Sequence, residues 1–253
     1  MSSHENPFGL FPGRKIIGKY IVGDCIGRGW EGQVYRVTEA ATSIERAAKF
    51  FYPERNPGGR TLRRYAQKLD RLRHCPMIVR YHTHEHLTRK GQQVPFLVSE
   101  FVHGEILEDF IKRQPRKQLT PFEALHLLHA LVIGLEPVHA AGEYHGDLHS
   151  GNIMVTRRGI GFDVKAIDFF YHGPRTVEHV QDDIVDLVKL FYEALGGPKT
   201  YKSQPPEVKE IVRGQKRSLI VKRFKTLNAL RRHLENFDWS ESPAGAAGSR
   251  RSR

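Results

Sequence analysis

Apolar and polar positions change rhythm part-way along this chain. Over residues 16–101 the segments "KIIGKYIVGDCIG", "GQVYRVTEA", "ERAAKFFY", "IVRYHTHEHL" and "VPFLVSEFV" are rich in Val, Ile, Phe and Tyr, with turn-like clusters between them. That pattern predicts β-strands. One stretch within the region, "TLRRYAQKLDRLRH", repeats Leu62, Tyr65, Leu69 and Leu72 at helical spacing, with Thr61 as its expected N-cap. From Leu107 onward the rhythm turns helical. "TPFEALHLLHALVIGLEPVHAAG" has Thr120 as N-cap, Pro121 at the first position and apolar residues all round, as a buried helix does. "DDIVDLVKLFYEALGG" predicts a second helix closed by Gly196 and Gly197. "VKRFKTLNALRRHLENF" predicts a third, docked through Val221, Phe224, Leu227, Leu230 and Leu234 with its basic face in water. Strands first and helices afterwards imply an α+β fold in two lobes.

Composition narrows this picture without deciding it. The 253 residues are 39% hydrophobic and 27% charged, as in an ordinary globular protein large enough to bury a sizeable core. Cys25 and Cys75 make no disulfide framework, and neither sits at zinc-like spacing. No apolar run approaches the roughly 18 residues that span a bilayer, and "MSSHENPFGLF" lacks a signal-peptide layout. A cytoplasmic protein is expected. The net charge of +12 favours anionic partners such as nucleotides, phosphorylated substrates, nucleic acid or membrane surfaces. "SESPAGAAGSRRSR" is small and polar, which predicts a disordered basic tail over residues 240–253. His82, His84 and His86 share one strand face, but same-face neighbours lie roughly 7 Å apart, too far for three to hold one ion without bending. The late basic helix spends its apolar face on docking, so nucleic acid is disfavoured.

Two short stretches carry candidate chemistry. "IGRGWEGQVYRV" holds Gly27, Gly29 and Gly32 followed by Val34. Glycines at this spacing let backbone N–H groups approach phosphate oxygens, although taken alone they are better explained by a plain hairpin. A strand follows, where a Rossmann crevice would need a helix. Seventeen residues beyond Gly32 comes Lys49 in "ERAAKFF", either an edge residue facing solvent or an inward cation awaiting phosphate. The second stretch, "YHGDLHSGNIMV", places Asp147 and Asn152 five positions apart. Gly, Asp, Ser and Asn are also what a polar turn favours.

Taken in order, the Gly-rich loop, the strand lysine, "YHGDLHSGN" and "KAIDFF" resemble the protein kinase-like superfamily. The resemblance runs from about residue 16 to 239. It implies a bilobal fold with an N-terminal extension (residues 1–15), a β-rich small lobe with one helix (16–101) and a shortened helical lobe (102–239). It also implies ATP-dependent phosphoryl transfer with Mg²⁺. Asp147 matches the aspartate that orients the acceptor hydroxyl and takes its proton. Asn152 and Asp168 match the metal ligands. Lys49 matches the lysine on the α- and β-phosphates, Val34 and Ala47 the adenine sandwich, and Glu100 and Val102 the backbone contacts to adenine. Ser99 stands at the small gatekeeper position, Asp183 matches the residue that braces the catalytic loop, and His145 is expected to pack beside Phe169. The acceptor implied is a protein Ser or Thr hydroxyl, and the positive charge would suit an acidic one.

Several positions depart from the family pattern. The helix that should give Lys49 a glutamate partner offers Tyr65 or Ala66 at that place, and Asp70 is the nearest downstream acid. Asp70, with its shorter side chain, would reach Lys49 only with a shifted helix. Whether Lys49 has an acidic partner stays open, and an unpaired Lys49 would be mispositioned. Gly146 replaces the arginine usual before the catalytic aspartate, and Phe170 replaces a glycine. Only about fifteen residues separate Asp168 from Asp183, far fewer than an ordinary activation segment. "HGDLHSGN" itself resembles the loop of small-molecule and atypical kinases such as the aminoglycoside phosphotransferases. Two alternatives thus stay open: a small-molecule kinase, and a nucleotide-binding pseudokinase scaffold.

Overall fold

Strand alternation sets the two faces of the main sheet. In β4 (Glu45–Phe51), Ala48 and Phe50 enter a core, while Lys49 and Phe51 turn to the opposite face. The computed structural model describes residues 7–89 and 91–236. Its six-stranded sheet has the order β1-β2-β3-β4-β6-β5, antiparallel throughout. The other five strands are β1 (Lys15–Ile16), β2 (Tyr20–Arg28), β3 (Gly32–Glu39), β5 (Tyr81–Arg89) and β6 (Gln92–Glu100). The first predicted strand is split in two. Ile17 and Gly18 take positive φ (44° and 69°), and the Lys19 N–H donates to the Ile16 carbonyl at 3.0 Å, closing a tight turn.

One face of the sheet buries Tyr20, Val22, Val37, Ala48, Phe50, Phe96 and Val98, with the Phe50 and Phe96 rings stacked 4.5 Å apart. Phe8 and Leu10 join this core from the segment before β1, and the Phe8 ring stacks on Tyr52 at 5.6 Å. The other face receives helix α1 (Arg60–Arg71), which buries Leu62 and Leu69. Thr61, expected from sequence to be its N-cap, is not. Gly59 holds that place with φ 73°, Asn56 Oδ1 accepts the Leu62 N–H at 3.2 Å, and the Thr61 hydroxyl donates backwards to the Arg55 carbonyl at 2.6 Å.

The chain divides into two compact units, one extending to Gly104 and including Lys165–Ile167, the other made of Glu105–Val164 and the chain from Asp168. The second unit is mainly helical. Its α3 (Pro121–Ala140) begins with a full capping box in which Thr120 and Glu123 satisfy each other's backbone N–H groups. Around it pack α4 (Val177–Ala194) and α7 (Leu227–Glu235). The remaining helices are α2 (Leu107–Arg113), α5 (Pro206–Val212) and α6 (Arg217–Arg223). A small sheet, β7 (Glu105–Ile106), β8 (Ile153–Arg158) and β9 (Gly161–Ala166), interrupts the helical run.

Two helix predictions need correction. The α4 helix starts five residues before Asp182, because Thr176 accepts the His179 N–H at 3.2 Å and caps it there. The last predicted helix is broken in two at Phe224 (φ −119°, ψ 84°), and Thr226 caps α7 by accepting from Ala229. Phe224, Leu227 and Leu230 are buried all the same. Among the described residues no helix is long and apolar enough to cross a membrane. The predicted tail over residues 240–253 lies outside the described residues.

Candidate nucleotide-binding and catalytic residues

Register decides which side chains of the first unit share a surface. Val34 lies opposite Lys49, Lys49 opposite Leu97, and Ala47 opposite Ser99. Cross-strand partners project to the same side, so Val34, Ala47, Lys49 and Ser99 form one patch on the face that carries α1. Glu100 closes β6; its N–H donates to the Arg80 carbonyl at 2.9 Å and its carboxylate binds Lys165. Val102 lies two residues beyond that strand, outside any regular element.

Of the three loop glycines, Gly32 is packed tightest. A Cβ there would overlap the carbonyl oxygen of Phe50, whereas at Gly29 a Cβ would meet nothing within 4 Å and at Gly27 it would make ordinary contact with Val34. Whether Lys49 has an acidic partner, open in the sequence, is answered by the fold. Lys49 Nζ lies 2.9 Å from Glu31 Oε2, a carboxylate supplied by the glycine loop itself. From α1 the lysine receives an aromatic face, with Tyr65 centred 4.8 Å from Nζ, while Asp70 pairs with its neighbour Arg73 at 3.4 Å.

In the second unit the loop after α3 is built around a buried carboxylate. Asp183 Oδ2 accepts the His145 N–H at 2.7 Å and lies 2.9 Å from His139 Nε2, while Oδ1 accepts the Gly146 N–H at 2.9 Å. Burial alone would push this carboxyl up, but the His139 hydrogen bond, the electrostatic influence of His145 and the two backbone donors outweigh it and hold it lowered. Two residues along, Asp147 receives both donor directions of one amide. Asn152 Nδ2 lies 2.9 Å from the Asp147 carbonyl and 2.9 Å from its Oδ2. His149 Nδ1 accepts the Gly151 N–H at 3.1 Å, which puts the ring proton on Nε2, 3.8 Å from Asp147 Oδ2. His145 packs its ring 4.5 Å from that of Phe169, as the resemblance implied. Just before it, Asp168 takes φ +53°, a left-handed conformation that a short polar side chain tolerates and most residues do not.

Comparison with known proteins settles what this arrangement belongs to. The family model described as the protein kinase domain matches residues 20–173. The chain belongs to the protein kinase domain family. It is 31% identical over 150 residues to serine/threonine-protein kinase STK11 of Gallus gallus, covering 57% of this chain and 33% of that one. To the probable serine/threonine-protein kinase PknB of Corynebacterium glutamicum it is 31% identical over 157 residues, covering 61% and 23%. The chain thus spans a third or less of the length of these curated relatives. The solved PknI kinase domain of Mycobacterium tuberculosis superposes with a TM-score of 0.65 at 19% identity, covering 90% of this chain and 99% of that one, which shows a shared fold.

Against the kinase pattern, the departures acquire physical causes. Gly146 has φ +83°, and a Cβ there would stand 2.8 Å from the Phe170 carbonyl oxygen and 2.9 Å from the Tyr144 ring. An arginine does not fit. The short segment after Asp168 is fastened to the loop of residues 144–152 instead. Phe170 N–H donates to the His145 carbonyl at 3.3 Å, His172 Nε2 lies 3.1 Å from the Gly146 carbonyl, and the Tyr144 hydroxyl accepts from His172 and donates to Gly173.

Glu31 is the residue that sequence reasoning missed. A lone acid among loop glycines carries no pairing signal, and the register of Lys49 that reveals it exists only in the folded sheet. Whether the second unit suits Mg²⁺ can be judged from its donor set. Both hydrogens of the Asn152 amide group face Asp147, leaving the carbonyl oxygen for other use, and Asp168 adds a carboxylate. Hard oxygen donors, few in number, are what Mg²⁺ accepts when phosphates and water complete its shell. The residues fit.

Proposed function

We propose that this chain is an ATP-dependent phosphotransferase that uses Mg²⁺ and phosphorylates Ser or Thr hydroxyls on proteins. In this reading Asp147 orients the acceptor hydroxyl and takes its proton, and Asn152 both aligns that carboxylate and, with Asp168, holds the metal. When bound, Mg²⁺ supplies charge neutralisation on the phosphate oxygens. Lys49 holds the α- and β-phosphates, the loop of Gly27, Gly29 and Gly32 covers them with backbone N–H groups, Val34 and Ala47 flank the adenine, and backbone groups of Glu100 and Val102 bind its edge. The observation that carries the reading is the fixing of Asp147 by Asn152, because a general base acts only when its geometry is held.

A second reading, a small-molecule acceptor, draws on the brevity of the segment tied down at Phe170–Gly173. Transfer of labelled γ-phosphate, tested in parallel on a peptide library and on a panel of hydroxylated metabolites, separates the two. Asp147→Asn should lower transfer by about 10²–10⁴-fold while nucleotide binding persists. Full activity in that variant would refute the assignment.

A further inference from the structure

We propose that Glu31, on the glycine loop, is the positioning partner of Lys49, a task that the kinase pattern otherwise gives to an acid on the helix here called α1. The inference rests on the function proposed above and concerns a residue to which the resemblance assigns no role.

The geometry is local and doubly anchored. Glu31 precedes Gly32, which pairs in register with Phe51 at the end of the strand that carries Lys49. The Tyr52 N–H donates to the Glu31 carbonyl at 2.9 Å, and the Gly29 N–H donates to the Gly32 carbonyl at 3.0 Å. On the outer side the guanidinium of Arg55 sits 3.8 Å from the centre of the Trp30 ring. The loop is therefore fastened to the corner that follows β4, and the absence of a Cβ at Gly32 permits that approach. Both members of the ion pair are largely withdrawn from water, with side-chain exposures of 11% for Lys49 and 20% for Glu31. An ion pair so placed is screened less than a surface one.

The sequence of α1 makes the substitution intelligible. "RTLRRYAQKLDR" contains one acid, Asp70, whose side chain is 63% exposed beside Arg73. The α1 residue that faces Lys49 is Tyr65, which offers a ring face to the ammonium. With the carboxylate coming from the loop, the Glu31–Lys49 ion pair does not draw on an acid of α1. A switch that works by swinging a helix acid away would leave the Glu31–Lys49 pair in place.

The test compares Glu31→Gln, Glu31→Asp, Asp70→Asn and the double variant Glu31→Gln/Tyr65→Glu. Expected for Glu31→Gln is a fall in kcat on the order of a hundredfold, as for a misplaced reacting group. Its affinity for a non-hydrolysable ATP analogue with Mg²⁺, measured by calorimetry, should change much less. Glu31→Asp should retain part of the rate and Asp70→Asn all of it. A glutamate at position 65, where the ring now faces Lys49, should restore turnover to the Glu31→Gln protein. A second readout needs neither nucleotide nor turnover: in the free protein, Lys49 should react faster with an amine-acylating reagent once Glu31 is neutralised. Wild-type or higher turnover in Glu31→Gln, which would make the glutamate a competitor of phosphate, overturns the proposal; so does unchanged labelling. Should the wild type transfer no phosphate at all, the functional reading fails, and the labelling still decides the pairing.

Discussion

A Cβ on Gly146 would lie 2.8 Å from the carbonyl oxygen of Phe170. The loop that carries Gly146 and the segment that follows Asp168 are packed so closely that one of them must present a bare backbone. Gly146 also has φ +83°, a second reason for glycine. Gly146→Ala is expected to destabilise the protein by about 1–3 kcal/mol. Turnover should fall further than stability, since Asp147 is the next residue. Denaturant unfolding together with a phosphotransfer assay checks both. An alanine variant of wild-type stability would mean that the two segments do not meet as described.

Asp183 yields a prediction with a defined sign. Its folded-state carboxyl is lowered below the ordinary 3.8, so ionisation favours the native state. The contribution is fully present above pH 3.8 and is lost as pH falls through the lower folded value. Asp183→Asn removes the charge and turns an amide N–H towards one of the backbone donors. The expected cost is about 2–5 kcal/mol at neutral pH. The gap between wild type and variant should narrow in acid, as followed by unfolding curves across that range. A gap independent of pH below 3.8 would show that the charge of Asp183 is not what matters.

What the sequence makes legible here is whatever depends on neighbours in the chain. Thr120 and Glu123 stand three apart, and the capping box follows from that spacing alone. Asp147 and Asn152 share one loop, and their hydrogen bonds confirm its compactness. Asp183 as a brace was legible through family resemblance, since nothing near it in sequence marks its partners. Illegible were features set by tertiary register. The break at Phe224 is one, because the apolar spacing runs on across it while Thr226 stops the hydrogen bonding. The Glu31–Lys49 pair is another, depending on a glycine loop folded back over the strand's far end.

Asn152 is expected to act on two observables at once. Its amide donates to the main-chain carbonyl and to Oδ2 of Asp147, and its carbonyl is proposed as a metal ligand. Asn152→Ala should therefore reduce turnover and also raise the Mg²⁺ concentration needed for half-maximal rate, by about 10–100-fold. Titrating Mg²⁺ at fixed ATP tests this. A lower rate with an unshifted Mg²⁺ requirement would leave Asn152 as an aligning residue alone.

Gly29 and Gly32 separate a packing role from a ligand-binding role within one loop. At Gly32 a Cβ runs into the Phe50 carbonyl, a backbone atom that cannot move without shifting β4. Gly32→Ala should thus cost about 1–3 kcal/mol of stability or more, whether or not nucleotide is present. At Gly29 a Cβ has open space in the free protein, and the backbone there is not left-handed. Folding gives no reason for glycine at that position, and trading it for alanine restricts the unfolded chain, which if anything stabilises. A reason remains if phosphate oxygens come close to the loop backbone. Gly29→Ala is therefore expected to keep or slightly raise Tm while weakening the binding of ATP with Mg²⁺. Thermal unfolding of the free protein and calorimetric titration of an ATP analogue provide the two measurements. A Gly29→Ala protein that binds nucleotide as tightly as the wild type would place the phosphates away from Gly29 and reduce that stretch to a hairpin.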